Sequence, residues 1–212
     1  MPPFAPQLTV PALICLSLPL LLFVQFNTLL PPWGSRKVLH MGAGTLFILC
    51  DVHDPLFAAG MYAVAITTAY LVSRTRLIHF ASLRDVGMLN YMFFCALCVT
   101  LKLPMVYIAP LFYADPMGAI VGRNVPSRKL VGSKSLSGTV AVFVTASLTF
   151  VETPAWTSLA SGAAVAAIEL FAGKWDNVAI GAYLLLHHAA LRHPPGTTAD
   201  ADDAVSTFGL RA

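Results

Sequence analysis

Charge is scarce in this chain. Asp, Glu, Lys and Arg make up only 11% of its 212 residues, against roughly a quarter in ordinary soluble domains. With 57% hydrophobic residues beside so little charge, an ordinary soluble enzyme is excluded, because the apolar surface has too little polar cover. A net charge of +3 is also too small to indicate a nucleic-acid partner. Cysteine chemistry is absent as well. Cys15, Cys50, Cys95 and Cys98 all lie in apolar runs, and the CxxC at 95 and 98 has no second CxxC or nearby His. It therefore lacks both zinc spacing and a redox context, and the four read as small core residues. There is no GxxxxGK[ST] loop and no evident internal repeat, which argues against a Walker nucleotide site and an inverted-repeat transporter.

What is present is apolar length. A bilayer core is about 30 Å thick and a helix rises about 1.5 Å per residue, so a crossing takes about 20 mostly apolar residues. The runs between charge, Pro and Gly breaks predict helices over about 8–30, 38–50, 55–73, 86–101, 103–114, 138–152, 155–172 and 176–191. The expectation is an all-α, polytopic membrane protein with seven or eight spans. The fifth run is short and either continues through Gly118 and Gly122 or ends as a half-helix beside a pocket. The opening MPPFAPQLTV has no Lys or Arg, unlike a secretory signal peptide, so the first run reads as a retained span. Residues 1–193 form one catalytic domain in this scheme, and the polar stretch 194–212 a disordered tail.

Alternating the spans sorts the cations unevenly. Arg36, Lys37, Arg74, Arg76, Arg84, Arg123, Arg128, Lys129, Lys134 and Lys174 fall on one side, and Lys102, Arg192 and Arg211 on the other. The positive-inside tendency makes the first side cytoplasmic. The same side receives His40, Asp115, Glu169, Asp176 and Asn177 at span ends, and ionisable groups at membrane depth are usually paired or functional. Asp51, His53 and Asp54 form a DxHD cluster, but on the opposite side and away from these groups. His187 and His188 lie near that side too.

The stretch ADPMGAIVGRNVPSRKLVGSKSLSGT, residues 114–139, has the composition of an anion loop. Arg123, Arg128, Lys129 and Lys134 suit phosphate oxygens. Gly118, Gly122, Gly132 and Gly138 permit close backbone approach, and Ser135, Ser137 or Thr139 can cap the next helix while its free N–H groups face an anion. A solvated connector is the alternative, with Ala114, Gly118 and Gly122 as a small-residue packing seam. The carboxylates favour the anion reading. Asp115, Glu169 and Asp176 are hard oxygen ligands for Mg²⁺ held with substrate phosphates, and each can accept a proton from a hydroxyl. Phosphates, cations and acidic ligands are the parts of phosphoryl transfer.

In order along the chain, Arg36-Lys37-x-x-His40, Asp115-Pro116-x-x-Ala119-x-x-Gly122-Arg123, Lys134-Ser135-Leu136-x-Gly138-Thr139, Glu169 and Asp176-Asn177 resemble the CTP-dependent lipid kinases. These include dolichol kinase, phytol and farnesol kinases and the CTP-dependent diacylglycerol kinase. The resemblance spans residues 36 to about 185. It implies transfer of the γ-phosphate of CTP, with Mg²⁺, to the hydroxyl of a membrane lipid alcohol at the cytoplasmic face. Arg123, Lys129, Lys134, Gly122, Gly138 and the helix start at Ser135 to Thr139 would hold the triphosphate, helped by Arg36, Lys37 and His40. Asp115 and Asp176, with Asn177, would hold the metal, and Glu169 or Asp115 would orient the hydroxyl. Trp175 stands where that family often has a second aspartate, leaving Asp176 to carry the role with Glu169. The wider superfamily also contains CTP:lipid-phosphate cytidylyltransferases, for which residues 74–84, RTRLIHFASLR, offer an extra cationic site. An anion transporter is the non-enzymatic alternative. The compartment implied is the endoplasmic reticulum or a plastid in a eukaryote, and the plasma membrane in a prokaryote.

Overall fold

A computed structural model describes residues 8–78, 80–150 and 153–192. Eight α-helices account for most of them: α1 (Val10–Phe26), α2 (Pro32–Ile48), α3 (Pro55–Arg74), α4 (Val86–Thr100), α5 (Ala109–Asn124), α6 (Leu136–Thr149), α7 (Ala155–Phe171) and α8 (Asp176–Arg192). A short hairpin, β1 (Lys129–Val131) and β2 (Lys134–Ser135), joins α5 to α6. The expected tail at 194–212 lies outside the described residues.

The all-helical expectation holds, while several boundaries move. Helix α2 begins at Pro32, six residues before the expected start, because proline at a first helical turn has its φ preset and no N–H to satisfy. Arg36 and Lys37 therefore sit inside α2 with His40 and not ahead of it. The stretch from Asp115 is likewise not one long loop. Helix α5 continues through Asp115, Pro116, Gly118 and Gly122, following a 3₁₀ turn at Met105–Ile108.

That continuation depends on α6. An added Cβ at Gly138 would stand 2.8 Å from the Gly118 carbonyl oxygen, and one at Gly122 would stand 3.3 Å from the Gly138 Cα. The small-residue seam thus brings two backbones together, and packing outweighs the poor helix propensity of glycine. Gly138→Ala is expected to cost about 1–3 kcal/mol through overpacking, read as a lowered unfolding midpoint in detergent.

Helices α3 and the Met105–Asn124 segment are long and apolar enough to cross a membrane by length and composition. Helices α1, α4, α6 and α7 are apolar but have only 14–17 residues, short of the roughly 20 expected for each span. The outer surface is apolar: Phe26, Ile66, Leu148, Trp156, Phe171 and Leu186 are all largely exposed. Inside, Phe112, Leu111, Ile108, Val142, Val165 and Ile180 form a fully buried centre shared by α5 to α8.

Ion pairs between elements bring together charges that are distant in sequence. Arg36 pairs with Asp85 at 2.7 Å, Lys37 with Asp115 at 2.5 Å, and Lys134 with both Glu169 and Asp176. Asp51 and Asp54 instead serve the backbone, accepting from the amides of His53 and Leu56, the latter as the N-cap of α3. They are turn and cap residues.

Candidate anion and cation site

Local chemistry positions the walls. Lys129 and Lys134 stand on the hairpin, whose two-residue turn begins at Gly132 with φ +53°, a conformation glycine adopts without Cβ strain. Ser135 then caps α6, accepting from the Gly138 amide at 3.3 Å. Ser127 and Ser137 tie the far side of the loop to this helix start at 2.8 Å. Helix α7 ends at Gly173, φ +60°, and a 3₁₀ turn delivers Asp176 to the start of α8.

The result is a cavity of about 400 Å³ lined by Asp115, Gly118, Ala119, Gly122, Arg123, Lys129, Ser133, Lys134, Ser135, Gly138, Thr139 and Glu169. Most residues of the predicted phosphate site thus share one space. Arg123 and Lys129 are exposed, and the Arg123 guanidinium lies 4.3 Å from the centre of the Trp33 ring, a cation–π contact that holds its head at the rim. Gly122 and Gly138 contribute to the wall through backbone, their lack of side chain being needed by the helix seam.

The acids are arranged differently from the expected Asp115 and Asp176 pair. Lys134 Nζ donates to Glu169 Oε1 and, at 3.2 Å, to Asp176 Oδ2. Glu169 and Asp176 therefore share a cation, while Asp115 has its own, Lys37. The side chains of Lys37 and Asp115 are only 14% and 13% exposed, so removing one partner alone leaves a poorly solvated charge, at roughly 3–5 kcal/mol.

Burial alone pulls the Lys134 pKa down. The hydrogen bond and charge of Glu169, with the charge of Asp176, reverse this and hold it above its ordinary 10.5. A raised lysine pKa contributes stability below the unfolded-state value, lost as pH rises through the folded-state value. The unfolding midpoint is therefore expected to carry the full contribution of this bridge, independent of pH, near neutrality and to fall beyond about pH 10.5. Lys134→Arg, which keeps its charge, should flatten that alkaline limb.

Five predicted residues lie off the cavity wall: Lys37 and Asp176, held in the ion pairs above, and Arg36, His40 and Asn177. Arg36 and His40 line a second, apolar cavity. Arg36 is held by Asp85, and His40 Nε2 donates to the Leu111 carbonyl at 3.0 Å. Asn177 is buried close to Arg36, beside Gly87. Arg74, Arg76 and Arg84, the extra cationic candidates, are exposed and do not line the phosphate-sized cavity. Asp85 was not anticipated, although an Asp directly before the apolar run from Val86 is an N-cap signature, and it does accept from the Met88 amide.

Among the described residues, no group of three His, Cys, Asp or Glu side chains comes together to hold a metal by itself. The donor set still fits Mg²⁺ held jointly with phosphates, which needs only one or two carboxylates. Glu169 and Asp176 already converge on one cation, and the buried Oδ1 of neighbouring Asn177 has no hydrogen-bond partner. Comparison with protein families, curated proteins and solved structures returns no match to this chain.

Proposed function

We propose that the chain is a polytopic membrane kinase that transfers the γ-phosphate of CTP to the hydroxyl of a membrane lipid alcohol, at a site facing the cytoplasm. One observation carries the reading. A cavity of about 400 Å³ is walled by Arg123, Lys129 and Lys134, opens on the start of α6, and is lined by Asp115 and Glu169. The order of these residues along the chain supports the choice of CTP and of a lipid acceptor.

In this mechanism Arg123 and Lys129 take the outer phosphates at the rim, and the α6 start accepts the inner ones on its free N–H groups. Lys134 moves from Glu169 and Asp176 to the γ-phosphate, where its charge stabilises the developing transition state. Those two carboxylates, with Asn177 Oδ1, would hold Mg²⁺, which when bound would supply neutralising charge for the phosphates. Asp115, steered by Lys37, orients the lipid hydroxyl and takes its proton as the new O–P bond forms and CDP departs.

The cytidylyltransferase reading has less support, because the arginines that would serve a lipid phosphate stand away from the cavity. A transporter would need a polar route onward from it. Purified protein in nanodiscs, given CTP, Mg²⁺ and a prenol or diacylglycerol, is expected to release CDP. Release of pyrophosphate means nucleotidyl transfer, and neither product from folded protein removes the enzyme reading.

A further inference from the structure

Arg36 on α2 and Asn177 on α8 crowd a single point beside α4. A Cβ added at Gly87 would stand 2.3 Å from Arg36 Nη2 and 3.3 Å from Asn177 Nδ2. Side-chain carbons do not approach a neighbour as closely as the first of these, so the missing side chain is what leaves room for the guanidinium. Gly87 lies inside α4 and outside the left-handed region, and backbone angle is therefore not the reason for glycine there.

Asp85 fixes the guanidinium. Its Oδ2 accepts from Arg36 Nη1 at 2.7 Å and its Oδ1 from the Met88 amide at 3.0 Å, so one buried carboxylate both caps α4 and holds Arg36. The turn ahead of it is held as well, the Arg84 amide donating to the Val72 carbonyl at 2.8 Å. Asn177 continues the connection to the acids. Its backbone N–H donates to Asp176 Oδ1 at 2.8 Å, and Asp176 Oδ2 accepts from Lys134 at 3.2 Å. Asn177 is 5% exposed, and its Oδ1 is buried without a hydrogen-bond partner. Such an oxygen is costly unless something satisfies it, and a cation shared with Asp176 does so.

We infer that Arg36, Asp85 and Gly87 form a clamp that positions Asn177, and through it Asp176, as donors to a divalent cation. The inference rests on the kinase reading for the metal and on the packing over Gly87 for the geometry. Arg36 is then a positioning residue and not the phosphate contact that its place in the sequence motif implies. Asp85 and Gly87, neither of which lines the anion cavity, join the site as its support. Groups of this kind set the orientation of metal donors without touching the metal.

Gly87→Ala paired with Arg36→Lys tests the clamp, because lysine keeps a charge for Asp85 and lacks the Nη2 that the new methyl meets. The probe is Mn²⁺ alone, titrated into the full chain in detergent and read by its paramagnetic resonance signal. Gly87→Ala is expected to weaken Mn²⁺ binding at least about tenfold, while affinity for metal-free tripolyphosphate stays within roughly twofold. In the Arg36→Lys background the same change should weaken it by under roughly twofold further, because residues in contact are not additive. Asp85→Asn keeps a capping oxygen and should weaken it as well, which serves if Gly87→Ala folds poorly. Gly60→Ala, where a Cβ meets nothing within 4 Å, should leave it unchanged. Unaltered Mn²⁺ affinity in folded Gly87→Ala or Asp85→Asn, or equal losses in the two backgrounds, overturns the clamp, and normal transfer to lipid by those proteins leaves the kinase reading standing. No Mn²⁺ binding by the wild-type chain overturns both. The expected pattern in protein that transfers no phosphate supports the clamp and removes the kinase.

Discussion

Asp115→Asn is expected to lower kcat by about 10²–10⁴-fold, the usual contribution of a positioned proton acceptor, while CTP affinity changes little. Asparagine nearly matches aspartate in shape and keeps an oxygen for the Lys37 ammonium, which donates to Asp115 Oδ2 at 2.5 Å. It cannot take a proton from a hydroxyl. A fall in kcat with unchanged nucleotide binding identifies a group acting on the acceptor in the transition state. Had Asp115 been a metal ligand, as its place in the sequence motif implies, the loss would appear in the Mg²⁺ dependence as well. A normal turnover number in folded Asp115→Asn protein removes this residue from the chemistry.

Lys134→Met is expected to have a comparable effect with the opposite signature toward metal. The ammonium holds Glu169 and Asp176 together, so in the resting protein it competes with any divalent cation for those oxygens. Deleting it should tighten Mn²⁺ or Mg²⁺ binding, measured by calorimetry or paramagnetic broadening, because two carboxylates lose their internal counter-ion. Turnover should fall by about 10²–10³-fold, the scale of one lost electrostatic donor to a transition state, and CTP affinity by at least tenfold. Glu169 is only 5% exposed, so stability is lost as well, and Lys134→Arg separates the charge from the shape. Weaker metal binding in folded Lys134→Met contradicts the exchange of ammonium for metal.

Much of the site could be read from the residue order. Asp115, Glu169 and Asp176, expected at the same face as the cations, meet Lys37 and Lys134, while Arg74, Arg76 and Arg84 stand apart. A hydroxyl cap at Ser135, Ser137 or Thr139 was legible from the hydroxyl-rich start of an apolar run, and Ser135 is the one that fills it. The course of α5 stood between two readings, since Pro116, Gly118 and Gly122 look like breaks, and packing against α6 accompanies the continuation. Pairing was hidden. Lys134 reaches Glu169 and Asp176 across 35 and 42 residues, and local pattern carries no information on which lysine serves which acid. The parting of Arg36 and His40 from Lys37, by contrast, follows from helical phase alone. Asp85 reads locally as no more than a helix cap before the apolar run from Val86, and its pairing with Arg36, 49 residues away, leaves no trace in local pattern.

The account rests on γ-phosphoryl transfer into lipid, and the destination of phosphorus tests it most directly. Purified protein in nanodiscs is given Mg²⁺, a long-chain prenol and CTP labelled at either the α- or the γ-phosphorus, and the extracted lipid is counted. The prediction is γ-label in the lipid, no α-label, and no transfer above background with Asp115→Asn. α-Label in the lipid, or no label from well-folded protein, contradicts it.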